Sequence, residues 1–310
     1  MRIVVTGGAG YIGSILVPLL LNDGHDVTVV DSFMYGQTPL LDCCDRPSLA
    51  VVRGDVRDAR LLGDVVKGAD AVLPLACLTG APICARDPWT AREVNFDAVK
   101  TIAEMLSPSQ MMIFPSTNSG YGVGESGIHC DEDTPLRPVS LYGRLKVELE
   151  SLLLDRGTFV TFRFATLFGT SPRMRLDLLV NDFTYRAVTD RAVVLFEPHF
   201  KRNYLHVRDA ARAFVHVLAN YEAVKGRPYN VGLSDANISK MELCEKISAH
   251  VPGFQIVTAE LGKDPDQRNY IVSNARIEAT GFQPAYGLDA GIAELVKGYQ
   301  IVRRTAFANA

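Results

Sequence analysis

A glycine-rich run near the start of the chain constrains the fold more than any other feature. Gly7, Gly10 and Gly13 follow an apolar β-branched segment and precede an apolar segment of helical character. At these positions the first glycine permits a tight turn, the second lets the backbone approach a diphosphate, and the third lets a helix lie close to a strand. Such a run can also be a purely structural turn. Its place at the start of a βαβ unit favours a dinucleotide-binding loop, because the helix N-terminus adds partial positive charge.

Short apolar strands alternate with helical patterns up to about residue 165. This alternation predicts a Rossmann α/β fold, a doubly wound parallel sheet whose ligand crevice lies at the carboxyl ends of the strands. A helix after Ser140 is predicted to carry Tyr142 through Leu154, and another begins near Trp89, with Asp87 as its cap. The predicted strands are Arg2–Thr6, Asp26–Asp31, Leu49–Arg53, Ala71–Leu75, Met111–Pro115 and Thr158–Phe164.

The alternation weakens after residue 165. We predict a dinucleotide-binding domain over residues 1–165 and a smaller, mixed α/β C-terminal substrate lobe over residues 166–310, with some chain returning to the first domain. In this second part the patterns predict a helix from about Met174, strands near Val193 and Tyr204, a helix from Val207, and a last helix over about Leu288–Arg303.

Charge and cysteine usage exclude several classes of protein. A formal net charge of −3 gives no basic field for nucleic acid. The six cysteines and six histidines show no metal-ligand spacing, so we expect no metal and a reducing, cytoplasmic setting. The longest apolar stretch, Ile12–Leu21, is interrupted by Pro18 and is too short to span a bilayer, so we expect no membrane anchor.

Asp31 indicates which dinucleotide binds. It ends the second predicted strand, where an acidic side chain accepts hydrogen bonds from an adenosine ribose and repels a 2′-phosphate. No Arg or Lys occurs from Ser32 through Asp45. The sequence therefore predicts NAD over NADP, although a simple strand-end turn residue is the alternative interpretation of Asp31.

Tyr142 and Lys146 are the candidate proton-transfer pair. They stand four residues apart, which places both on one face of a helix. A nearby ammonium group lowers the pKa of a phenol, so Tyr142 is predicted to act as a base near neutrality. Such a pair also occurs by chance on many helices, and it gains weight from the dinucleotide loop that precedes it.

Further motifs accompany these features: Gly54–Asp58, Asn95 and Tyr204–Asp209. Together they resemble the extended short-chain dehydrogenase/reductase superfamily of nucleotide-sugar epimerases and dehydratases, from Arg2 to the last helix. The resemblance implies an NAD-dependent enzyme in which Asn95 steadies the cofactor loop, Asp55 and Val56 lie beside the adenine, and Leu75 and Ala76 lie under the nicotinamide half. The implied cofactor-binding residues are Gly7, Gly10, Tyr11, Ile12, Gly13, Asp31, Asp55, Val56, Leu75, Ala76, Asn95, Tyr142 and Lys146.

The same resemblance completes a catalytic trio and argues against dehydration. Thr117 lies four residues before Tyr121, where the family keeps its catalytic Ser or Thr. Its hydroxyl is expected to hydrogen-bond the reacting oxygen and position it for Tyr142. Sugar 4,6-dehydratases carry an acidic pair directly after that Thr, whereas this chain has Asn118 and Ser119. Neither side chain is a useful general acid or base, so hydride transfer is the reaction that remains.

The segments 76–82, 117–124, 171–181 and 202–207 most resemble those of GDP-heptose 4-dehydrogenases, in a match that covers nearly the whole chain. This resemblance implies a GDP-linked manno-configured heptose oxidised at C4. A nucleotide diphosphate requires cations and amide donors. The candidate substrate-binding residues are Thr79, Asn118, Ser119, Thr166, Arg173, Arg175, Asn181, Arg202 and Arg268. A nucleotide-sugar 4-epimerase and a non-catalytic NAD-binding regulatory protein are the alternatives. His206 is expected to be a packed histidine, and a homodimer through the helices that carry Trp89 and Tyr142 is expected from the relatives.

Overall fold

The computed structural model describes residues 1–125, 127–259 and 268–302. Strands and helices are numbered separately along the chain. The strands are β1 Arg2–Thr6, β2 Asp26–Asp31, β3 Leu49–Arg53, β4 Ala71–Pro74, β5 Met111–Thr117, β6 His129–Cys130, β7 Val160–Phe164, β8 Thr166–Phe168, β9 Ala192–Leu195, β10 Lys201–His206, β11 Pro228–Val231, β12 Asn237–Ser239, β13 Gln255–Thr258 and β14 Ile271–Val272. The helices are α1 Gly13–Asn22, α2 Ala59–Val66, α3 Ala81–Arg86, α4 Pro88–Arg92, α5 Ala98–Met105, α6 Leu141–Leu154, α7 Leu179–Thr189, α8 Val207–Ala219, α9 Tyr221–Val224, α10 Lys240–His250, α11 Ala275–Glu278 and α12 Leu288–Gly298.

Seven parallel strands form the central sheet, in the spatial order β11-β7-β5-β4-β1-β2-β3. The strands β4 and β7 are buried along their whole length, as is expected of a sheet covered on both faces. The order reverses between β1 and β4, which creates a crevice at the carboxyl ends of these strands. The predicted Rossmann fold is confirmed, with β11 as an edge strand that the sequence patterns did not single out.

The rest of the chain forms a smaller mixed α/β region around three short sheets. In one of these, β10 pairs in parallel with β8 and antiparallel with β12. The other two are the parallel pairs β9 with β13 and β6 with β14. The β6–β14 pair matters for the site, because it joins the segment after β5 to the last part of the chain.

Two predicted helices differ from the observed ones. The helix expected from about Met174 begins at Leu179 instead, since residues 169–178 form a loop that packs against the glycine-rich turn. The last helix ends at Gly298, and Arg303 lies outside the described residues. The helices at Pro88 and Leu141 begin where the sequence predicts, capped by the side chains of Asp87 and Ser140.

Among the described residues no helix is both long enough and apolar enough to cross a membrane.

Candidate active site

A cleft of about 560 Å³ opens at the carboxyl ends of β1, β2, β4 and β5. Two sets of residues line it. The strand-end wall consists mainly of residues that directly follow these strands, together with Tyr142 and Lys146 of α6. The C-terminal wall consists of residues between Phe164 and Leu178, together with Arg268.

Two positions of the glycine-rich turn, Gly7 and Gly13, have room only for glycine. Gly7 has a φ of +68°, and a Cβ atom there would lie 2.5 Å from the Ala76 backbone nitrogen. A Cβ on Gly13 would lie 2.5 Å from the Gly8 carbonyl oxygen. The turn therefore leads closely from β1 into the start of α1, and the N-terminus of a helix in such a cleft suits the diphosphate of a dinucleotide. Tyr11 and Ile12 line the cleft beside them.

Asp31 holds the turn and the following loop together. One of its carboxylate oxygens accepts a hydrogen bond from the Ala9 amide at 2.9 Å, and the other accepts from the Phe33 amide at 2.8 Å. A carboxylate oxygen retains further lone pairs, so these bonds leave acceptor capacity for ribose hydroxyls. Asp55 and Val56 line the same part of the cleft. The Arg57 guanidinium, 2.7 Å from Asp55, lowers the pKa of that carboxyl group.

Asn95 supports the cleft from behind. It lies in a π-helical turn, Glu93–Asp97, between α4 and α5. Its amide accepts a hydrogen bond from the Leu78 amide at 2.8 Å and donates one to the Leu78 carbonyl at 2.9 Å. Both bonds fix the segment after β4, where Leu75, Ala76 and Thr79 line the cleft.

Thr117, Tyr142 and Lys146 all line the cleft. Thr117 ends β5, and α6 carries the other two residues one turn apart. Lys146 is buried, and its ammonium group donates a 2.8 Å hydrogen bond to the Pro115 carbonyl. The trio therefore comes together because α6 packs against the end of β5.

A buried ion pair anchors α6 behind this trio. Glu150, one turn beyond Lys146, lies 2.8 Å from the Arg163 guanidinium of β7. The same guanidinium donates to the Tyr121 hydroxyl at 3.0 Å. Tyr121 ends the turn that begins at Asn118. The Arg163 side chain therefore links the helix that carries Tyr142 to the turn after Thr117.

The pKa of Tyr142 differs from the expectation. Lys146 was expected to lower it, but burial has the largest effect and raises the pKa. Arg175 and Arg268 act in the opposite direction, because their positive charges favour the phenolate. The cations that favour the anionic form of Tyr142 therefore include two arginines of the C-terminal wall.

Three of the four arginines predicted for substrate binding line the cleft, and the fourth does not. Arg175 lines the cleft and pairs with Asp177. Arg173 also lines the cleft, but its guanidinium lies 4.1 Å from the centre of the Tyr35 ring, in the loop after Asp31. Arg268 donates a hydrogen bond to the Ser119 hydroxyl. Arg202 is buried and is not part of the cleft lining, and its guanidinium packs over the Tyr270 ring.

Thr166 and Ser119 line the cleft, whereas the two predicted asparagines do not. Asn181 is fully buried and donates hydrogen bonds to the Tyr11 hydroxyl at 3.2 Å and the Arg175 carbonyl at 2.7 Å. It thus joins the glycine-rich turn to the C-terminal wall. Asn118 is also buried, and its amide has no hydrogen-bond partner among the described residues.

Several residues of the cleft and its supports were missed by the sequence analysis. Tyr35 and Cys77 line the cleft. The Ser171 hydroxyl lies 2.7 Å from that of Ser14 and donates to the Tyr11 carbonyl at 2.8 Å. Glu294 accepts a hydrogen bond from the Thr170 amide at 3.0 Å. Proximity to Asp31 could have suggested Tyr35, but no local pattern indicates the contacts between distant residues.

His206 is fully buried and stacks against Tyr286 with ring centres 4.8 Å apart. It lies outside the cleft lining. Across residues 1–125, 127–259 and 268–302, no group of three or more His, Cys, Asp or Glu side chains could hold a metal ion.

Comparison with known proteins identifies relatives along nearly the whole chain. The model of the NAD dependent epimerase/dehydratase family matches residues 3–232. The low-salt glycan biosynthesis protein Agl12 of Haloferax volcanii is 29% identical, over 96% of this chain and 98% of the relative. A dTDP-glucose 4,6-dehydratase of Streptomyces niveus is also 29% identical, over 97% of this chain and 93% of the relative.

The fold has close counterparts among solved structures. The UDP-glucose 4-epimerase of Thermus thermophilus, solved as a complex with NAD, superimposes with a TM-score of 0.83 and 24% identity. The match covers 98% of this chain and 100% of that structure. This likeness shows that the two proteins share their fold.

Proposed function

The chain belongs to the NAD-dependent epimerase/dehydratase family, and from that premise we propose that it oxidises the C4 hydroxyl of a nucleotide-sugar. The protein is an NAD-dependent enzyme. One observation carries the proposal: Thr117, Tyr142 and Lys146 lie in a single cleft with a glycine-rich turn and with Arg175 and Arg268.

Each residue has a distinct task in this reaction. Bound NAD supplies the acceptor for the hydride that leaves the sugar carbon. The phenolate form of Tyr142 takes the hydroxyl proton and becomes a neutral phenol, and Thr117 hydrogen-bonds the reacting oxygen. Lys146 adds positive charge and is fixed by its bond to the Pro115 carbonyl. The cleft arginines attract the diphosphate of the substrate and favour the phenolate of Tyr142.

The residues after Thr117 support hydride transfer over elimination. A 4,6-dehydration needs a base to remove a proton from C5 and an acid to protonate the departing C6 hydroxyl. Asn118 is buried outside the cleft lining, and Ser119 is bonded to Thr117 and Arg268. Although one relative is a dehydratase, we propose that this chain does not eliminate water.

For the sugar we propose a GDP-linked manno-heptose, which is oxidised to its 4-keto form. This proposal rests on the resemblance of the segment from Ser171 to Asn181 to GDP-heptose 4-dehydrogenases. A 4-epimerase is the second candidate, because the family to which the chain belongs includes epimerases. Both reactions begin with the same oxidation, and they differ in whether the hydride returns to the opposite face of the ketone.

A substrate panel tests the proposal. Purified protein is incubated with NAD and with GDP-, ADP-, UDP- and dTDP-linked hexoses and heptoses, while nicotinamide absorbance and sugar products are followed together. An oxidant that accepts electrons from bound NADH reveals a single turnover that would otherwise be missed. We expect a 4-keto GDP-heptose. A C4 epimer without net NADH favours the epimerase, and a 4-keto-6-deoxy sugar excludes the proposed reaction.

We also propose a cytoplasmic homodimer. Trp89 of α4 is 77% exposed, and an aromatic residue this exposed on a helix is suited to contact a second copy. All six cysteines are free thiols, which is consistent with a reducing compartment. Sedimentation of the wild type and of Trp89→Glu tests the dimer, because a charge at a buried interface should yield monomers.

A further inference from the structure

Three hydrogen bonds connect Arg268 of the C-terminal wall to Thr117 through Ser119. The Arg268 guanidinium donates to the Ser119 hydroxyl. The hydroxyl oxygens of Ser119 and Thr117 lie 2.9 Å apart. The Ser119 amide also donates to the Thr117 hydroxyl oxygen at 3.1 Å. Ser119 is 3% exposed and Thr117 is 9% exposed, so these bonds lie where water competes little.

The guanidinium of Arg268 sets the direction of these hydrogen bonds. A guanidinium can only donate, whereas a hydroxyl has one proton and two lone pairs. Because the cation of Arg268 faces the oxygen of Ser119, the proton of that hydroxyl is favoured on the side away from the charge, where Thr117 lies. The Thr117 oxygen then accepts two hydrogen bonds. The proton of the Thr117 hydroxyl is therefore directed away from Ser119. Because Thr117 lines the cleft, this proton is available to an oxygen bound there.

We propose that Arg268 and Ser119 are positioning residues that fix Thr117 as a hydrogen-bond donor to the reacting sugar oxygen. The proposal rests on the proposed function, because it needs an oxygen that gains negative charge as its proton leaves. A fixed donor stabilises that charge. Since the lone pairs of Thr117 are occupied, the departing proton goes to Tyr142. This relay, which runs from Arg268 through Ser119 to Thr117, assigns hydrogen-bond donation to Thr117 and proton acceptance to Tyr142.

The main chain, as well as the side chains, supports the position of Arg268. Val123 forms an isolated bridge with Asn269, and the Gly124 amide donates to the Asn269 carbonyl at 2.8 Å. The pairing of β14 with β6 continues this contact. Arg268 is therefore held next to the turn that contains Ser119 by backbone pairing on the adjoining residues.

Kinetics of the NAD-loaded protein test the relay. Ser119→Ala should lower kcat by about 10- to 100-fold, because one link to the donor is lost. KM should stay within about threefold, since the altered bond acts in the transition state. Ser119→Thr, which keeps a hydroxyl, should restore much of the rate. A rise in KM with kcat unchanged would mean that Ser119 only contacts substrate and would overturn the relay.

Arg268 has a separate signature in the pH profile. Arg268→Gln removes a cation that favours the phenolate of Tyr142, so the pH at which kcat reaches half its maximum should move upward. Ser119→Ala should lower kcat at every pH without such a movement. Arg60→Gln and Ser109→Ala, at exposed positions outside the cleft, are the matched controls and should behave as wild type.

A titration without substrate keeps this test independent of the proposed function. Tyrosinate absorbance of the NAD-loaded protein is measured against pH, and the difference from Tyr142→Phe isolates the phenol of Tyr142. Arg268→Gln should move this titration to higher pH. If no sugar is oxidised by the wild type, the proposed function fails, but the titration still shows whether Arg268 affects the ionisation of Tyr142. An unchanged titration would show, whether or not a substrate is found, that Arg268 does not act on Tyr142 and that the predicted shift of the pH profile is wrong; the kinetics of Ser119→Ala then decide the positioning of Thr117.

Discussion

The two walls of the cleft are held in place by different means. In the strand-end wall, side chains occupy the first positions after parallel strands, as Asp31 and Thr117 do at the ends of β2 and β5. In the C-terminal wall, segments that are distant in sequence are joined by side-chain hydrogen bonds, such as those of Asn181 with Tyr11 and of Arg268 with Ser119.

Because of this difference, we expect the two walls to respond differently to substitutions. A residue at a strand end takes its main-chain position from the sheet, so substitution of nearby side chains should move its backbone little. A residue of the C-terminal wall is positioned by a few long-range bonds, so loss of one bond should move a whole segment. The comparison predicts that changes in the strand-end wall remove NAD binding or proton transfer directly, whereas changes in the supports of the C-terminal wall act through the segments and side chains that those supports position.

Tyr142→Phe should have the largest effect. The phenol is the proposed proton acceptor, and general acid–base catalysis contributes about 10²- to 10⁴-fold to a rate. We expect kcat to fall by about this factor while NAD binding, measured by protein fluorescence, is retained. Full activity of Tyr142→Phe with the true substrate would show that the proposed mechanism is wrong.

Gly7→Ala should come next, because its Cβ would lie 2.5 Å from the Ala76 nitrogen. A left-handed conformation in a non-glycine residue costs on the order of 1 kcal/mol, and the clash adds to it. We expect NAD affinity to fall at least about 10-fold, as measured by calorimetry. Gly24→Ala is the matched control, since its φ is +79° but nothing lies within 4 Å of the added Cβ. It should cost stability alone, without loss of NAD affinity.

Asn181→Ala should show how far the C-terminal wall depends on one side chain. Its loss removes bonds to Tyr11, Gly169 and Arg175, and unsatisfied buried partners cost about 1–3 kcal/mol. We expect a lower unfolding free energy in urea and weaker NAD binding. Asn118→Ala is a matched control, because that buried amide loses no hydrogen bond among the described residues. Equal losses in the two variants would contradict the proposed role of Asn181.

Glu294→Gln should give the smallest effect, visible in acid. Burial alone would raise the pKa of Glu294, but hydrogen bonds from His206 and Thr170 lower it from 4.5 to about 2. A depressed carboxyl pKa adds stability that is complete above about pH 4.5 and is lost as the pH falls through about 2. Urea unfolding at several pH values should therefore show a flatter acid dependence in Glu294→Gln. Glu222→Gln, whose side chain is 81% exposed, should retain the wild-type slope.

The sequence predicted the strand-end wall better than the C-terminal wall for a physical reason. Glycine spacing, the acid at a strand end and the Tyr–Lys spacing are local patterns, and the sheet converts them into positions. Asn181 and Arg202 were assigned to substrate from sequence similarity, but they are buried outside the cleft lining. Their positions depend on tertiary packing, which leaves no local signal. The start of α7 was missed for the same reason, since the preceding loop is held by distant contacts such as Ser171 with Ser14.

The pairing between the segment after Thr117 and the segment after Arg268 has a consequence for biosynthesis. During translation the strands that form the dinucleotide crevice leave the ribosome first, and domains generally form as units in that order. Arg268 can reach Ser119 only after most of the chain has emerged. We therefore expect a growing chain to acquire the capacity to bind dinucleotide before its catalytic centre is complete, so that the cofactor can be in place before any sugar is admitted.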